Sequence, residues 1–427
     1  MIYSQTTTKG MGMQKHSVAW GITAVFGALA SWAGTVSMDW STDKEPVSYR
    51  PGETMTIKMQ LVDDGKPLAG KTLKWFRTGD DQKTTNGIAT SSATQPVEIV
   101  TAIEKPGFVH IEVSVLNADG TPVKDAKDKP LKFEGGAGAD PAKLQSYQEP
   151  ADFDAFWKAQ KARLAAVPIK ATLTPFESKN AKFQIYDVKI DCAGGKPVSG
   201  YLTFPKDAKP KSLAAQVNFL GYGFSGANPD CHDGMIVLSI NAHGFENGRP
   251  PEYYKAFQDG ALKGYAFNNA ENAKPETAYF NGMMLRVMRA LQYIKSRPEW
   301  DGKTLISSGG SQGGLQAVTA AALDSDVTKC NAYKPWCCDL GGIKLQRLRG
   351  WRPDYAEGLG YYDTATMGKR VTCETFISAG LGDYVCPPSG VSALFNNVKG
   401  PKTIEYIQGS THGYNPPNPK KQTVMGK

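Results

Sequence analysis

The first third of the chain alternates apolar and polar residues, which is the pattern of half-buried β-strands. Residues 55–61 place an apolar side chain at every second position, and residues 108–115 repeat the pattern after a Pro-Gly turn. Several such short runs follow one another between turns rich in Gly, Pro and Asp. Residues 35–135 are therefore predicted to form a small immunoglobulin-like β-sandwich. His110 falls inside one of its strands, where we expect a packing or surface role.

The pattern changes after this segment. The glycine-rich residues 135–141 are interpreted as a linker. Residues 276–296 carry apolar side chains at spacings of three and four, which predicts an amphipathic helix that ends before Pro298. Apolar runs that alternate with helical stretches predict a mostly parallel sheet with helices on both faces, in one domain over residues 146–427. The predicted strands of this sheet are 198–204, 215–220, 235–240, 304–308, 372–379 and 403–407.

The N-terminus has the layout of an export signal. Basic residues precede an apolar run at residues 17–29, and small residues at 28–30 and 31–33 fit a cleavage site. We therefore predict a signal peptide over residues 1–33 and a secreted or periplasmic protein. The apolar run is short for a membrane span and no other stretch is longer, so stable membrane insertion is not expected.

Length, charge and cysteine content limit the classes of protein to which the chain could belong. A chain of 427 residues accommodates two domains, and its net charge of +8 is spread without a basic block, so we expect no nucleic-acid partner. The seven cysteines all lie between residues 192 and 386. Their number is odd, so at least one is unpaired, and the connectivity stays open. The histidines and cysteines lack the spacing typical of a metal site, so we expect neither a metal nor another cofactor.

The candidate nucleophile is Ser311, in the stretch SGGSQGG at residues 308–314. The pattern G-x-S-x-G arises readily by chance, but here a predicted strand precedes it and a helix-forming run, residues 315–323, follows it. A nucleophile elbow needs that junction, because its turn is too tight for side chains beside the serine. A linker would not lie between a buried strand and a helix. A phosphate-binding loop would end in Gly-Lys-Ser or Gly-Lys-Thr, which is absent here.

A serine nucleophile needs a base, and His412 is the one histidine that follows Ser311. In α/β-hydrolases the order along the chain is serine, acid, histidine. Asp383 ends a predicted strand between the two and is the leading candidate for the acid, which would fix the tautomer of His412. The other aspartates in this interval, which stay open as alternatives, are Asp324, Asp326, Asp339, Asp354 and Asp363.

The same chemistry needs two donors for an oxyanion. One should be the backbone N–H of Gln312, which directly follows the nucleophile. The other should come from the first strand–helix turn of the sheet, which the sequence places at residues 220–223.

With these residues in place, residues 146–415 resemble the acetyl xylan esterase and cephalosporin-C deacetylase family of carbohydrate esterases. The resemblance rests on GGSQGG, on GYG at residues 221–223, on Asp383 followed by Pro-Pro, and on DFDAFW at residues 152–157. It implies an α/β-hydrolase fold, a triad of Ser311, Asp383 and His412, and an oxyanion hole at Tyr222 and Gln312. The stretch at 334–339 is also similar to the family.

Three features depart from the family. Residues 242–245 read Ala-His-Gly-Phe where the family has Arg-Gly-Gln-Gly, and Gly413 stands where a glutamate follows the histidine. The chain also continues only briefly after His412, so a usual C-terminal helix is expected to be short or missing. The first departure affects the expected substrate preference, and the last affects the expected oligomer.

The sequence therefore predicts an exported serine esterase, a carboxylic ester hydrolase that deacetylates xylo-oligosaccharides or related sugar esters in polysaccharide degradation. The reaction would pass through an acetyl-enzyme without a cofactor. One alternative is a broader esterase or a peptidase on the same fold. Another is a carbohydrate-binding protein with a decayed hydrolase domain, although the complete Ser–Asp–His order argues against decay. Assembly into a homo-oligomer is left open.

Overall fold

The computed structural model describes residues 36–178 and 180–427. The predicted signal peptide, residues 1–33, lies outside the described residues. The first eight strands are β1 (Val36–Thr42), β2 (Met55–Asp63), β3 (Lys66–Pro67), β4 (Thr72–Gly79), β5 (Thr85–Thr90), β6 (Val97–Thr101), β7 (Gly107–Leu116) and β8 (Lys132–Ala139).

These strands form two four-stranded antiparallel sheets. In the first sheet β2 pairs with β1, β3 and β6, and in the second the order is β5-β4-β7-β8. The alternating apolar residues noted in the sequence point inward from both sheets and share one core, which contains Ile57, Met59, Ile111 and Val113. The segment is thus a β-sandwich.

The interpretation of residues 135–141 as a linker was wrong. Residues 135–139 belong to β8, which pairs with β7 along its whole length. The glycines serve close packing: a Cβ placed on Gly136 would lie 2.1 Å from the carbonyl oxygen of Val109. Glycine-rich sequence can therefore mark a close backbone approach as well as a flexible segment.

The rest of the chain is built on a ten-stranded mixed sheet. Its order is β18-β17-β16-β15-β14-β12-β13-β11-β10-β9. The six central strands, β17, β16, β15, β14, β12 and β13, are parallel, and the strands at both ends pair antiparallel with their neighbours. The strands are β9 (Ala171–Pro175), β10 (Phe183–Ile190), β11 (Val198–Pro205), β12 (Leu213–Phe219), β13 (Met235–Ile240), β14 (Trp300–Gly310), β15 (Lys329–Tyr333), β16 (Glu374–Gly380), β17 (Lys402–Ile407) and β18 (Lys421–Gly426). All six strands predicted for the sheet are present, and β9, β10, β15 and β18 were missed.

Seven α-helices and three short 3-10 helices accompany this sheet in the described part of the chain. The α-helices are α1 (Phe153–Ala165), α2 (Pro251–Asp259), α3 (Asn269–Asn272), α4 (Tyr279–Lys295), α5 (Gln312–Leu323), α6 (Thr364–Gly368) and α7 (Pro388–Asn397). The 3-10 helices are Pro141–Lys143, Leu340–Leu345 and Glu357–Tyr362. Helix α4 confirms the helix predicted over residues 276–296.

The expectation of helices on both faces of the sheet was wrong for the central strands. Helices α1, α4, α5, α6 and α7 pack together on one face, where they cover alternate residues such as Leu305 and Ser307 of β14. The intervening Ile306 and Ser308 face the other side and are partly exposed. The reason is local: residues 220–234, between β12 and β13, form a loop, and the chain after His412 forms the edge strand β18. In the described residues after His412, the chain therefore forms a strand where the family has a helix, and the expectation of a short or missing C-terminal helix stays a prediction.

The sandwich packs against the end of this sheet. The side chain of Gln408 accepts a hydrogen bond from the N–H of Gly136 at 2.9 Å and donates one to its carbonyl at 2.6 Å. Asp80, fully buried at the end of β4, accepts hydrogen bonds from the backbone N–H of Phe108 at 2.7 Å and of Leu348 at 2.8 Å. It also accepts one from the hydroxyl of Ser389 at 3.1 Å. This carboxylate therefore joins the sandwich to the loop at Leu348 and to the start of α7 in the hydrolase domain.

All seven cysteines are free thiols, and the four fully buried ones are Cys330, Cys337, Cys338 and Cys386. Within residues 36–178 and 180–427, no helix has the length and apolar character needed to cross a membrane.

Replacing Asp80 with alanine should lower the free energy of unfolding by about 2–4 kcal/mol, because three buried donors would lose their acceptor. Urea unfolding of the full chain measures the change. Asp207→Ala is the matched control, since Asp207 is exposed, and should change stability by less than about 0.5 kcal/mol. Equal stability of the two variants would contradict a structural role for Asp80.

Candidate active site

Ser311 occupies the tight turn between β14 and α5, as the sequence predicted. Its backbone has φ of 56° and ψ of −120°, a conformation that is costly for a residue with a side chain. The turn needs a residue without a side chain two positions after the serine: a Cβ on Gly313 would lie 2.2 Å from the carbonyl oxygen of Phe219 at the end of β12. The strained turn holds the Ser311 hydroxyl away from the backbone at the N-terminus of a helix.

The structure brings Ser311, His412 and Asp383 into one hydrogen-bonded row. The Nε2 atom of His412 lies 2.9 Å from the Oγ atom of Ser311, and its Nδ1 atom lies 2.9 Å from the Oδ2 atom of Asp383. The other oxygen of Asp383 accepts hydrogen bonds from the backbone N–H of Val385 at 2.9 Å and of Cys386 at 2.8 Å. Asp383 is buried, so these bonds fix the orientation of its carboxylate.

These contacts determine which nitrogen of His412 carries the proton in the neutral imidazole. A carboxylate only accepts hydrogen bonds, so Nδ1–H donates to Asp383. The free lone pair of Nε2 then accepts the hydrogen bond from the hydroxyl of Ser311. This is the arrangement in which a histidine can take the proton of a serine.

The five other aspartates considered as the acid are engaged elsewhere, and none of them bonds to His412. Their partners are Lys295 for Asp324 and Asp326, Arg349 for Asp354, Arg347 for Asp339, and the first N–H groups of α6 for Asp363. Among the alternatives that the sequence left open, the geometry therefore favours Asp383.

The two expected oxyanion donors lie beside Ser311. Gln312 opens α5, so its N–H precedes the first intrahelical hydrogen bond. The turn that carries Tyr222 lies close by, since a Cβ on Gly221 would be 4.0 Å from the Cβ of Ser311. Across the described ranges, the backbone N–H groups of Tyr222 and Gln312 have no hydrogen-bond acceptor. Both are available to a bound oxyanion.

The hydroxyl of Tyr265 bonds to both segments that carry the expected oxyanion donors. It accepts a hydrogen bond from the N–H of Gly223 at 3.1 Å and donates one to the Oε1 atom of Gln312 at 3.0 Å. Burial raises the pKa of Tyr265, so its hydroxyl stays protonated and can donate. These two hydrogen bonds fix the position of the 221–223 turn relative to the start of α5.

His243 holds the same turn from the other side. Its Nε2 atom lies 2.8 Å from the carbonyl oxygen of Gly223, and its Nδ1 atom bonds to the hydroxyl of Tyr279. Burial lowers the pKa of His243 to about 4, so the ring is neutral and has one N–H. A carbonyl only accepts, so Nε2 carries that proton and Nδ1 accepts from Tyr279. The sequence contained a signal for this residue, because His243 lies in the stretch 242–245 that departs from the family.

Lys334 is a further residue whose role the sequence did not predict. Its Nζ atom donates hydrogen bonds to the carbonyl of Thr411 and, at 3.0 Å, to the Oδ1 atom of Asn415. These contacts lie on both sides of His412 and restrain its loop. Burial lowers the pKa of Lys334. The available signal was its place in the family-like stretch 334–339, but the pattern did not indicate what its side chain would bind.

A groove of about 960 Å³ opens at Ser311 and His412. It continues along the uncovered face of the sheet, past the exposed side chain of Tyr333 and the partly exposed side chain of Phe376. The site is therefore open to a substrate larger than a simple ester.

In the described part of the chain, one group of three side chains has the proximity needed for a metal ion: Asp383, Cys386 and His412. Their donors are already used, since Asp383 and His412 bond to each other and the second nitrogen of His412 bonds to Ser311. Burial raises the pKa of Cys386, which keeps it a thiol and a poor ligand. These residues do not fit a metal, and the expectation of no cofactor stays a prediction.

The mixed sheet, the serine elbow and the bonded His–Asp pair define an α/β-hydrolase. Comparison with known families narrows this class. The family model for acetyl xylan esterase (AXE1) matches residues 142–348 and 351–425, so the chain belongs to the acetyl xylan esterase family. It is thus a carboxylic ester hydrolase of the kind that deacetylates carbohydrate esters, as the sequence predicted, and the peptidase and decayed-hydrolase alternatives are not favoured.

The names of individual similar proteins are consistent with this family. The chain is 28% identical over 378 residues to the acetyl esterase Axe7A of Xylanibacter ruminicola, covering 83% of this chain and 82% of the relative. The structure of an acetyl xylan esterase from Paenibacillus sp. R4 is similar with a TM-score of 0.53 and 25% identity, over 64% of this chain and 93% of that chain. Acetyl xylan esterase 1 from Thermoanaerobacterium sp. JW/SL YS485 shares the fold, with a TM-score of 0.52 and 22% identity over 64% of this chain and 92% of its own.

The neutral His243 should make folding stability depend on pH. Its folded-state pKa of about 4 lies below the ordinary 6.5, so the unfolded chain binds more protons between these values and stability rises with pH across that window. His243→Gln should remove about 2–4 kcal/mol of this pH-dependent rise in the free energy of unfolding. Urea unfolding of both proteins at several pH values measures the slope. The buried His110, whose pKa is also lowered to about 4, should supply a remaining slope. Identical slopes in both proteins would contradict the prediction.

Proposed function

We propose that this protein removes acetyl groups from acetylated xylo-oligosaccharides or closely related sugar esters, with Ser311 as the nucleophile. The observation that carries the proposal is the continuous row from Asp383 through His412 to the Ser311 hydroxyl, with both bonds at 2.9 Å. Membership of the acetyl xylan esterase family supports the substrate class. The open groove supports an oligosaccharide over a small ester.

The proposed reaction begins when the Ser311 oxygen attacks the acetyl carbonyl carbon and its proton passes to Nε2 of His412. The carbonyl oxygen becomes an oxyanion that accepts hydrogen bonds from the N–H groups of Tyr222 and Gln312. As the ester C–O bond breaks, the sugar oxygen takes the proton from Nε2. The products of this half are the deacetylated sugar hydroxyl and an acetyl group on Ser311.

The second half releases acetate. Water gives a proton to Nε2 of His412 and attacks the acetyl carbon, and the same two N–H groups stabilise the second oxyanion. The bond to Ser311 then breaks, and the serine oxygen recovers its proton from Nε2. Asp383 stabilises the imidazolium in both halves. The bonds of Tyr265 to the N–H of Gly223, next to Tyr222, and to the side chain of Gln312 support a role in orienting both oxyanion donors.

We also propose that the N-terminal segment is an immunoglobulin-like domain and that the protein is secreted or periplasmic. The strand order, with β2 between β1 and β6 in one sheet and β5-β4-β7-β8 in the other, supports the first proposal. The basic and apolar residues of the N-terminus support the second. The division into residues 1–33, 35–135 and 146–427 is proposed on the same grounds, with the last strand of the sandwich ending at Ala139.

Ser311→Ala should lower the rate of p-nitrophenyl acetate hydrolysis by about a thousandfold or more, because the proposed acetyl-enzyme forms on the Ser311 oxygen. Release of p-nitrophenol measures the rate, and a thermal melt should show that the fold survives. Ser225→Ala is the matched control: Ser225 is exposed in the turn after Tyr222, within a sequence that nearly repeats the elbow motif. Activity of Ser311→Ala near the wild-type level would refute the nucleophile.

The acyl and leaving-group preferences should distinguish the proposed function from its alternatives. We expect acetate release from acetylated xylo-oligosaccharides with a kcat/KM well above that for esters of longer acyl chains, and no cleavage of dipeptides. A broader esterase would hydrolyse the longer esters equally well, and a peptidase would release amino acids. A chain that only binds carbohydrate would release no acetate while still being retained by xylan.

A further inference from the structure

Trp351 is an exposed aromatic residue that lies at the active site. Its ring is 4.8 Å from the ring of Tyr222, which it meets edge to face, and its backbone N–H donates a 3.0 Å hydrogen bond to the carbonyl of Val385, two residues after Asp383. Trp351 therefore touches the loop of a proposed oxyanion donor and the loop of the proposed acid. Despite these contacts it is 44% exposed.

The surroundings of Trp351 hold its ring in a fixed orientation. The ring of Trp336 stacks on it at 5.4 Å with an angle of 24°, and the indole N–H of Trp336 donates a 2.6 Å hydrogen bond to the carbonyl of Trp351. Trp336 is fully buried, and its own backbone N–H donates to the carbonyl of Ser311 at 2.9 Å. Phe267 packs 4.9 Å away on another side. Trp351 is thus a rigid ring, supported from below and connected through one residue to Ser311.

A rigid, half-exposed ring at this place suits one part of the proposed substrate. A single exposed aromatic residue on a protein surface needs no explanation, but this one borders the position of the ester. A pyranose ring presents C–H groups on its faces and hydroxyl groups around its rim. Stacking on a flat aromatic side chain removes the apolar C–H surface from water and leaves the hydroxyl groups solvated. A simple alkyl acetate has no such face.

We propose that Trp351 is the platform for the pyranose ring of the substrate, so that this residue selects sugar acetates over other acetyl esters. The proposal rests on the proposed deacetylase function and specifies how its site recognises sugar. Trp351 contributes binding and takes no part in proton transfer. Its loss should therefore raise KM for sugar esters and leave kcat nearly unchanged, because the interaction is the same in the ground state and in the transition state.

The test compares two variants of the full chain on two esters. Trp351→Leu keeps an apolar side chain on Trp336 but removes the flat ring, and Trp351→Phe keeps a smaller ring. Acetate release is measured from acetylated xylotriose and from ethyl acetate. We expect Trp351→Leu to raise KM for acetylated xylotriose about 5- to 10-fold, with kcat and the kcat/KM for ethyl acetate within about twofold of the wild type. Trp351→Phe should recover most of the lost affinity.

Phe76→Leu provides the matched control, since Phe76 is an exposed aromatic residue of the sandwich at 41% exposure and the replacement is of the same kind. Phe76→Leu should leave KM and kcat unchanged for both esters. An unaltered KM for acetylated xylotriose in Trp351→Leu would overturn the platform. An equal loss of kcat on both esters would also overturn it, because Trp351 would then act by holding Tyr222 in place. If the wild type releases acetate from ethyl acetate but not from acetylated xylotriose, the proposed function itself fails, and the platform fails with it.

Discussion

The backbone of Ser311 lies in a strained conformation where the first turn of α5 packs directly on the end of β12. The carbonyl of Phe219 occupies the space that a side chain at position 313 would need. Phe219 is followed within three residues by Tyr222, so the same close packing places the nucleophile and a proposed oxyanion donor side by side. Any side chain large enough to separate α5 from β12 would move both at once. The strain at Ser311 is thus the local cost of an arrangement that the sheet fixes.

The loops that carry the other two members of the row depend on the sandwich. Gln408 lies four residues before His412 and is bonded twice to Gly136 of β8. The ring of Tyr384, next to Asp383, packs 5.0 Å from the ring of His110 in β7. The sandwich therefore contacts both the histidine loop and the acid loop and restrains their positions. His110, which the sequence assigned to packing or to the surface, is buried and packs between the two domains.

The contacts of His243 provide a physical reason for one departure from the family pattern. A neutral imidazole can donate through one nitrogen and accept through the other, and His243 does both, towards Gly223 and Tyr279. The 221–223 turn is then fixed by His243 on one side and by Tyr265 on the other. Both residues are buried, so the bonds form in surroundings where leaving a donor or acceptor unmet is costly.

The sequence by itself determined six strands of the sheet and singled out Ser311 and His412 as the candidate nucleophile and base, because each of these inferences depends on information local to the chain or on order along it. Apolar spacing located β11 to β14, β16, β17 and α4, and the glycines around Ser311 identified the elbow. His412 followed by elimination, since no other histidine lies after Ser311. Only the tertiary structure decided between Asp383 and the other aspartates, reassigned residues 135–139 from a linker to a strand, and placed α1, α4, α5, α6 and α7 on one face of the central strands. It also revealed Tyr265, His243, Lys334 and Trp351, because their roles come from partners distant in the sequence and no local pattern encodes such contacts.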